Sequence, residues 1–189
     1  MADTFRFIVS KTLIADLCVI ERRRRGDERG YLSRFYCAEE LLAAGFNDRV
    51  VQINHTLTTH TGAVRGMHYQ LPPAAEDKFV SCIRGSVFDV AVDLRAGSST
   101  FLKWHAETLS AENAKSLFIP KGFAHGFQTL EEDCELIYLH TAYYAPEAEA
   151  ALNPTDPALA IAWPLPVSDI SLRDRDQAYI APDFDGINI

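Results

Sequence analysis

The middle of the chain is a succession of short segments with strand-like patterning, and this succession constrains the fold more than any other feature. In residues 87–94, Phe88, Val90, Val92 and Leu94 occupy alternate positions, which is the period of a half-buried β-strand. Further strand-like segments occupy residues 50–55, 78–83, 101–109, 117–119, 124–130 and 134–140. Turn-forming residues separate them, and many short strands with such spacing predict an antiparallel sandwich or barrel.

The two ends of the chain differ in character from this central region. Residues 38–44 are the best helix candidate and are followed by Gly45, a typical helix terminator. The C-terminal residues are rich in Pro and Asp, which indicates a tail that wraps around the barrel. We predict a single domain over residues 1–189, with a barrel core at about 47–145, an N-terminal segment at 1–46 and a tail at 146–189.

Charge and cysteine content exclude several classes of protein. The net charge of −8 argues against a general nucleic-acid binder, because affinity for a phosphate backbone depends on an excess of Lys and Arg. Cys18, Cys37, Cys82 and Cys134 form no C-x-x-C pair, so neither a zinc site nor a redox dithiol is expected. No apolar run has the length of a membrane span, and the N-terminus lacks a signal-peptide layout. We therefore expect a protein without membrane contact in a reducing, cytoplasmic setting.

Several polar residues lie at positions that a barrel would turn inward. A closed barrel points alternate side chains inside, and a small one can hold a single small ligand. His68 and Gln70 share a face of their segment, and Tyr138 shares a face with Cys134 and Leu136. Polar groups in such an interior need hydrogen-bonding partners or a ligand. An imidazole and a phenol can together remove and return protons at a carbon beside a carbonyl group.

An ordered set of motifs resembles a known family, the dTDP-4-dehydrorhamnose 3,5-epimerases of deoxysugar biosynthesis. The resemblance runs from about residue 27 to residue 176. Its segments lie at 29–31, 51–55, 65–70 (R-G-M-H-Y-Q), 87–95, 109–113, 119–127 (I-P-K-G-F-A-H-G-F), 138 and 143–144. It implies an all-β, cupin-type antiparallel jelly-roll barrel and a homodimer with the N-terminal segment in the dimer contact. It also implies an enzyme without metal or organic cofactor that inverts carbons flanking the 4-keto group of a nucleotide-diphosphate sugar.

The resemblance assigns four catalytic roles. His68 is the general base, which suits a group that titrates near neutrality, and its orienting carboxylate matches Asp176. Lys78 matches the lysine that stabilises the developing enolate; the alternative is a surface lysine beside acidic neighbours. Tyr138 matches the general acid on the opposite face of the sugar, and inversion needs such a donor because one base on one face returns the same proton. The alternative for Tyr138 is a strand tyrosine that only packs its ring inward.

The same resemblance implies a set of substrate-binding residues. Arg65 and Arg29 match diphosphate contacts, with Arg29 reaching into the site of the partner subunit; guanidinium groups suit phosphate oxygens. Gln52 and Asn54 resemble residues that contact the nucleotide, and His125 completes the predicted set.

Two other functions remain open on the sequence alone. The pattern Pro120-x-Gly122-x-x-His125 is shared with metal-binding cupins, so a metal-dependent dioxygenase or isomerase that uses His68 and His125 is one alternative. Gln70 stands where such cupins usually have a second histidine, and an amide is a poor ligand for a transition metal. A non-catalytic sugar-binding cupin is the other alternative, although it would have no need of proton donors on two faces.

Three residues depart from the family's usual pattern. Arg34 stands near an acidic position, Asp77 replaces a small residue before the lysine, and Leu139 replaces the lysine after the tyrosine. These changes could alter specificity. The sequence does not identify the nucleotide, the sugar or the pathway, or whether one or both of C3 and C5 are inverted.

Overall fold

The computed structural model describes residues 6–189, most of which belong to strands and their connecting turns. The strands are β1 (Phe7–Lys11), β2 (Cys18–Arg22), β3 (Arg24–Asp27), β4 (Gly30–Ser33), β5 (Gln52–Thr58), β6 (Ala63–Gln70), β7 (Lys78–Arg84), β8 (Ser86–Asp93), β9 (Trp104–Ser110), β10 (Lys115–Ile119), β11 (Phe123–Thr129), β12 (Cys134–His140), β13 (Glu149–Ala151) and β14 (Asp169–Ile170). The helices are α1 (Ala38–Leu41) and α2 (Leu172–Arg175), and a 3₁₀ turn occupies Leu42–Ala44.

The strands form two sheets that face each other. The first sheet has the order β1-β2-β10-β7-β12-β5, and the second has the order β13-β6-β11-β8-β9, with β14 pairing β6 in parallel. All other neighbours in these two sheets are antiparallel. This arrangement confirms the predicted all-β, antiparallel jelly-roll fold. β1 and β2 extend the first sheet, although they lie outside the barrel core predicted at about 47–145, and β3 and β4 form a separate hairpin.

Apolar side chains fill three layers around the two sheets. The central layer lies between the sheets and joins Val80 and Leu136 of the first sheet to Val87 and Phe127 of the second. On the outer face of the first sheet, the segment around α1 packs against Phe79, Phe118 and their neighbours. On the outer face of the second sheet, residues of the C-terminal tail pack against those of β6, β8 and β11. Burial on both faces explains why β7, β8 and β11 are almost entirely buried.

The helical segments are short. The helix predicted at residues 38–44 is present as α1 followed by the 3₁₀ turn, and it ends at Gly45, whose φ of +88° is the left-handed conformation that glycine adopts readily. Of the helices found between residues 6 and 189, none has the length and apolar character that a membrane crossing needs.

A bulge between β6 and β11 determines which side chains of β6 face inward. His125 pairs with His68 and Phe127 pairs with Arg65, so two steps along β11 correspond to three along β6. The extra residue places Arg65 and His68 on one face despite their odd spacing. Gly66 allows this close approach, because it has a φ of +128° and a Cβ there would lie 2.5 Å from Cα of Gly126.

Candidate active site

A cavity of about 240 Å³ opens between the two sheets. β5, β7 and β12 of the first sheet line one wall, and β6 and β11 of the second sheet line the other. The lining residues are Gln52, Asn54, Thr56, Arg65, His68, Tyr69, Gln70, Glu76, Lys78, His125, Phe127, Tyr138, His140, Tyr144 and Glu149. Seven of the nine residues predicted for the site therefore line one cavity: His68, Tyr138, Lys78, Arg65, Gln52, Asn54 and His125.

His68 projects from β6 and is paired with a buried carboxylate. Its Nε2 lies 2.7 Å from Oδ1 of Asp174, and the side chains are 35% and 6% exposed, respectively. Burial would raise the pKa of Asp174, but the hydrogen bond from His68 and its positive charge when protonated hold that pKa below the ordinary value. Because Nε2 is engaged by the carboxylate, Nδ1 is the ring nitrogen left to accept a proton when the ring is neutral.

The prediction that Asp176 orients His68 is wrong, since Asp174 is the carboxylate in contact. Asp176 lies at the C-terminal end of α2, where its Oδ1 accepts a hydrogen bond from Arg175 and its side chain is 64% exposed. Ser171 caps the N-terminus of α2 and accepts a hydrogen bond from the backbone N–H of Asp174. The pattern Ser171-x-x-Asp174 is a recognisable helix-start signal. It would have placed Asp174 in the first turn of a helix.

Lys78 is buried at the start of β7, so it is not a surface lysine. Its Nζ donates to the carbonyl oxygen of His68 at 3.2 Å and lies 3.4 Å from Oε1 of Glu76. The acidic neighbour that matters is therefore Glu76. Asp77 turns away from the cavity and accepts a hydrogen bond from the backbone N–H of Lys121.

Tyr138 projects from β12 into the cavity from the first sheet, opposite the strand that carries His68. Its side chain is buried, and this burial raises the pKa of the phenol, which keeps the hydroxyl protonated. Its ring stands edge-on to that of His125 at 5.9 Å. Leu139 points to the other side of the sheet and packs in the outer layer with α1, so this departure from the family pattern lies away from the cavity.

His125 projects from β11 and is paired with a second buried carboxylate. Its Nε2 lies 2.9 Å from Oδ2 of Asp89, and both side chains are almost fully buried. His68 and His125, which the metal-cupin alternative requires as ligands, therefore each direct Nε2 at a carboxylate. Within residues 6–189, no group of three or more His, Cys, Asp or Glu side chains is arranged to hold a metal ion.

Glu76, His140 and Glu149 line the cavity but were not predicted from the sequence. Burial would raise the pKa of Glu76, but hydrogen bonds from His140 and Lys78 bring it below its ordinary value. His140 could have been found, because it continues the inward face of β12 two residues beyond Tyr138. Glu149 lies in β13, and its Oε2 accepts hydrogen bonds from the Tyr144 hydroxyl and from Arg173, both at 2.7 Å. Nothing in the sequence pattern indicates this contact between distant segments.

The two arginines predicted to bind diphosphate lie far apart. Arg65 lines the cavity and donates from Nη1 to the Thr58 hydroxyl at 3.3 Å. Arg29 lies in the turn between β3 and β4, where it is 89% exposed and pairs with Asp27. It is not part of the same cavity. Arg34, another departure from the family pattern, pairs with Glu40 near α1.

Comparison with known proteins gives consistent matches over nearly the whole chain. The family model described as dTDP-4-dehydrorhamnose 3,5-epimerase matches residues 11–182. A dTDP-4-dehydrorhamnose 3,5-epimerase of Shigella flexneri is 41% identical over 182 residues, which cover 93% of this chain and 98% of that protein.

Solved structures agree with these sequence matches. The dTDP-4-dehydrorhamnose 3,5-epimerase of Bacillus anthracis, with TDP and PPi bound, has a TM-score of 0.89 and 35% identity over 92% of this chain and 99% of that one. The dTDP-6-deoxy-D-glucose-3,5-epimerase of Legionella pneumophila, in complex with dTDP-4-keto-L-rhamnose, has a TM-score of 0.84 and 42% identity over 89% of each chain. The chain therefore belongs to the dTDP-4-dehydrorhamnose 3,5-epimerase family.

Proposed function

We propose that this epimerase inverts C3, C5 or both in a nucleotide-linked 4-keto-6-deoxyhexose, with His68 and Tyr138 as its base and acid. The observation that supports this most strongly is the position of these two side chains. An imidazole from the second sheet and a phenol from the first sheet line one cavity from its two walls. A keto sugar held between them can lose its α-proton to one wall, and the flat enolate that results can gain a proton from the other wall, which inverts the carbon.

In the first step, Nδ1 of His68 takes the proton from the carbon beside the ketone. The C–H bond breaks, and its electron pair moves into the enolate whose charge lies on the 4-oxygen. Asp174 holds the opposite ring nitrogen at 2.7 Å and stabilises the imidazolium that forms. Lys78 supplies the positive charge for the enolate oxygen, and this charge is worth most in the transition state because it meets an anion absent from the ground state.

In the second step, the phenol of Tyr138 donates its proton to the same carbon from the facing wall. The O–H bond of Tyr138 breaks, the new C–H bond forms, and the ketone is restored as the enolate electrons return. Exchange of protons with water then resets the imidazolium and the phenolate. A raised pKa suits this role, since the phenol holds its proton until the enolate is present.

The remaining predicted residues would bind the nucleotide diphosphate. Arg65, Gln52 and Asn54 line the same cavity, and a guanidinium group at its mouth suits phosphate oxygens. The dTDP group is the preferred nucleotide, because the Legionella relative binds dTDP-4-keto-L-rhamnose.

A homodimer is part of the same proposal. Arg29 lies in the β3–β4 hairpin near the exposed side chains of Tyr31 and Leu32, and it does not line the cavity of its own chain. Apolar residues in an exposed hairpin are typical of a protein contact, and such a contact would carry Arg29 to the site of a second copy. The free thiols of all four cysteines suit a reducing, cytoplasmic setting.

Deuterium incorporation tests the proposed reaction. In D₂O, a dTDP-linked 4-keto-6-deoxyglucose should acquire deuterium at C3, C5 or both, and the His68→Asn variant should lose about 10²–10⁴-fold in exchange rate while dTDP still binds. Absence of exchange with dTDP-, GDP- and CDP-linked keto sugars alike would refute the reaction. A His68→Asn variant that kept more than about a tenth of the wild-type rate would show that another group is the base.

A further inference from the structure

A third imidazole–carboxylate pair, His140 and Glu76, lies in the cavity and has no part in the steps above. Nδ1 of His140 lies 2.8 Å from Oε2 of Glu76, and the two side chains are only 10% and 8% exposed. His140 sits on β12 directly opposite Lys78 of β7 and Gln52 of β5. The pair therefore stands between the lysine that faces the enolate and the amides that face the nucleotide.

Hydrogen bonds link this pair to groups on either side. On one side, the other carboxylate oxygen of Glu76 lies 3.4 Å from Nζ of Lys78. On the other side, Nε2 of His140 lies 3.3 Å from Nδ2 of Asn54. Nε2 of Gln52 donates in turn to Oδ1 of Asn54 at 3.2 Å, and Oε1 of Gln52 accepts from the backbone N–H of Tyr144 at 3.1 Å.

The backbone N–H of Tyr144 sets the donor and acceptor of each hydrogen bond in the series from Gln52 through Asn54 and His140 to Glu76. A backbone N–H can only donate, so the oxygen of Gln52 faces it and the Gln52 amide nitrogen donates onward to Asn54. The Asn54 nitrogen is then the donor towards His140, which makes Nε2 of His140 the acceptor. The proton of a neutral His140 must therefore sit on Nδ1, from which it is donated to Glu76.

The hydrogen bond that His140 donates to Glu76 also constrains Lys78. The bond from His140 occupies Oε2 of Glu76 and fixes the carboxylate, so that only Oε1 is presented to the ammonium group. Of the three N–H bonds of Lys78, one points to the His68 carbonyl oxygen and one to Glu76, which leaves the third for the substrate. Without the bond from His140, the Glu76 carboxylate can rotate and compete with the substrate for that third N–H.

We propose that His140 is a positioning residue that, through Glu76, holds Lys78 in the orientation needed to stabilise the enolate. This inference rests on the proposed function, because it assigns Lys78 to the enolate oxygen. His140 itself does not touch the reacting atoms. Its effect is to keep one N–H of Lys78 available for them.

Two substitutions of His140 distinguish the role of its Nδ1 from the role of its Nε2. In His140→Asn, the side-chain amide nitrogen replaces Nδ1 and can still donate to Glu76. In His140→Gln, the amide reaches the position of Nε2, so it can still accept from Asn54 but no longer donates from the Nδ1 position. We expect His140→Gln to lose roughly 10²-fold in the rate constant for deuterium exchange at saturating substrate, as misplacement of a catalytic group by about 1 Å can do.

Comparison of the exchange rate constants of the two variants tests the role of His140. His140→Asn should retain the exchange rate constant within about threefold, and dTDP should bind to His140→Gln with nearly wild-type affinity. Equal rates for both variants, whether both normal or both reduced, would overturn the proposal. Thermal unfolding of each variant shows whether a reduced rate comes from a damaged fold.

A measurement on the unmodified enzyme without substrate provides an independent test. Nitrogen chemical shifts of the histidine rings should show a proton on Nδ1 of His140 and none on Nε2. A ring protonated on Nε2, or on both nitrogens, would overturn the proposal whatever the variants do. Lack of deuterium exchange in the wild-type enzyme would instead contradict the proposed function, so the two failures are distinguishable.

Discussion

At the scale of single residues, sequence motifs selected seven residues that line one cavity but misassigned the carboxylate beside His68. Most predicted residues lie on strands whose alternation is visible in the sequence, and alternation determines which side chains face inward. Asp174 lies instead on a four-residue helix in the tail, where no strand period applies. The cavity also contains Glu76 and His140, whose contact joins the loop before β7 to β12. Local sequence patterning does not reveal such a contact between distant segments.

The choice between Asp174 and Asp176 can be tested with matched substitutions two residues apart. Asp174→Asn keeps the size of the side chain but removes the charge that stabilises the His68 imidazolium, so kcat should fall roughly 10²–10⁴-fold. Asp176→Asn is the control, because that residue is exposed and pairs with Arg175; its kcat should stay within about twofold of wild type. The reverse pattern in steady-state kinetics would restore Asp176 as the orienting group.

At the scale of secondary-structure elements, most central strands and the first helix followed from the sequence, whereas β6 and the terminal strands were not among the predicted strand segments. Gly45 ends the predicted helical segment as expected, and residues 134–140 form a strand as predicted. β13 and β14 are short strands that pair with β6, which is distant in sequence, and β1 is a short edge strand that pairs with β2. Local patterning carries little information about such pairings, since strand formation depends on its context in the sheet.

The loop after β8 gives a prediction about acid stability. Asp93 is fully buried and accepts hydrogen bonds from Arg95, Ser98 and Thr100. Burial would raise its pKa, but these bonds lower it to about 2. Because the folded-state pKa lies below that of the unfolded chain, Asp93 stabilises the fold by about 2 kcal/mol above about pH 4, and this contribution falls away as the pH decreases through about 2.

Urea unfolding of wild-type protein and Asp93→Asn measures this contribution. The difference in unfolding free energy should be largest near pH 7 and should shrink by roughly half near pH 3. A difference that did not change with pH would mean that the Asp93 carboxylate owes its contribution to shape and not to charge.

At the scale of the whole molecule, the proposed mechanism depends on a cavity between two sheets. One apolar layer lies between the two sheets, and two more cover their outer faces. The space between the sheets forms a cavity where polar side chains take the place of apolar ones. Arg65 and His68 enter it from one wall through the β6 bulge, and Lys78 and Tyr138 enter it from the other. Under the proposed mechanism, the fold thereby provides proton-transfer groups on the two faces of one substrate, which inversion requires.

The most direct test of this two-walled site is the fate of deuterium in the Tyr138→Phe variant. Phenylalanine retains the ring but has no proton to donate, while His68 and Lys78 still allow the enolate to form. In D₂O, we predict that the variant exchanges the α-proton with retention of configuration while formation of the inverted sugar falls steeply. Exchange and inversion that both continue at wild-type rates would contradict the account, because Tyr138 would then only pack in the core.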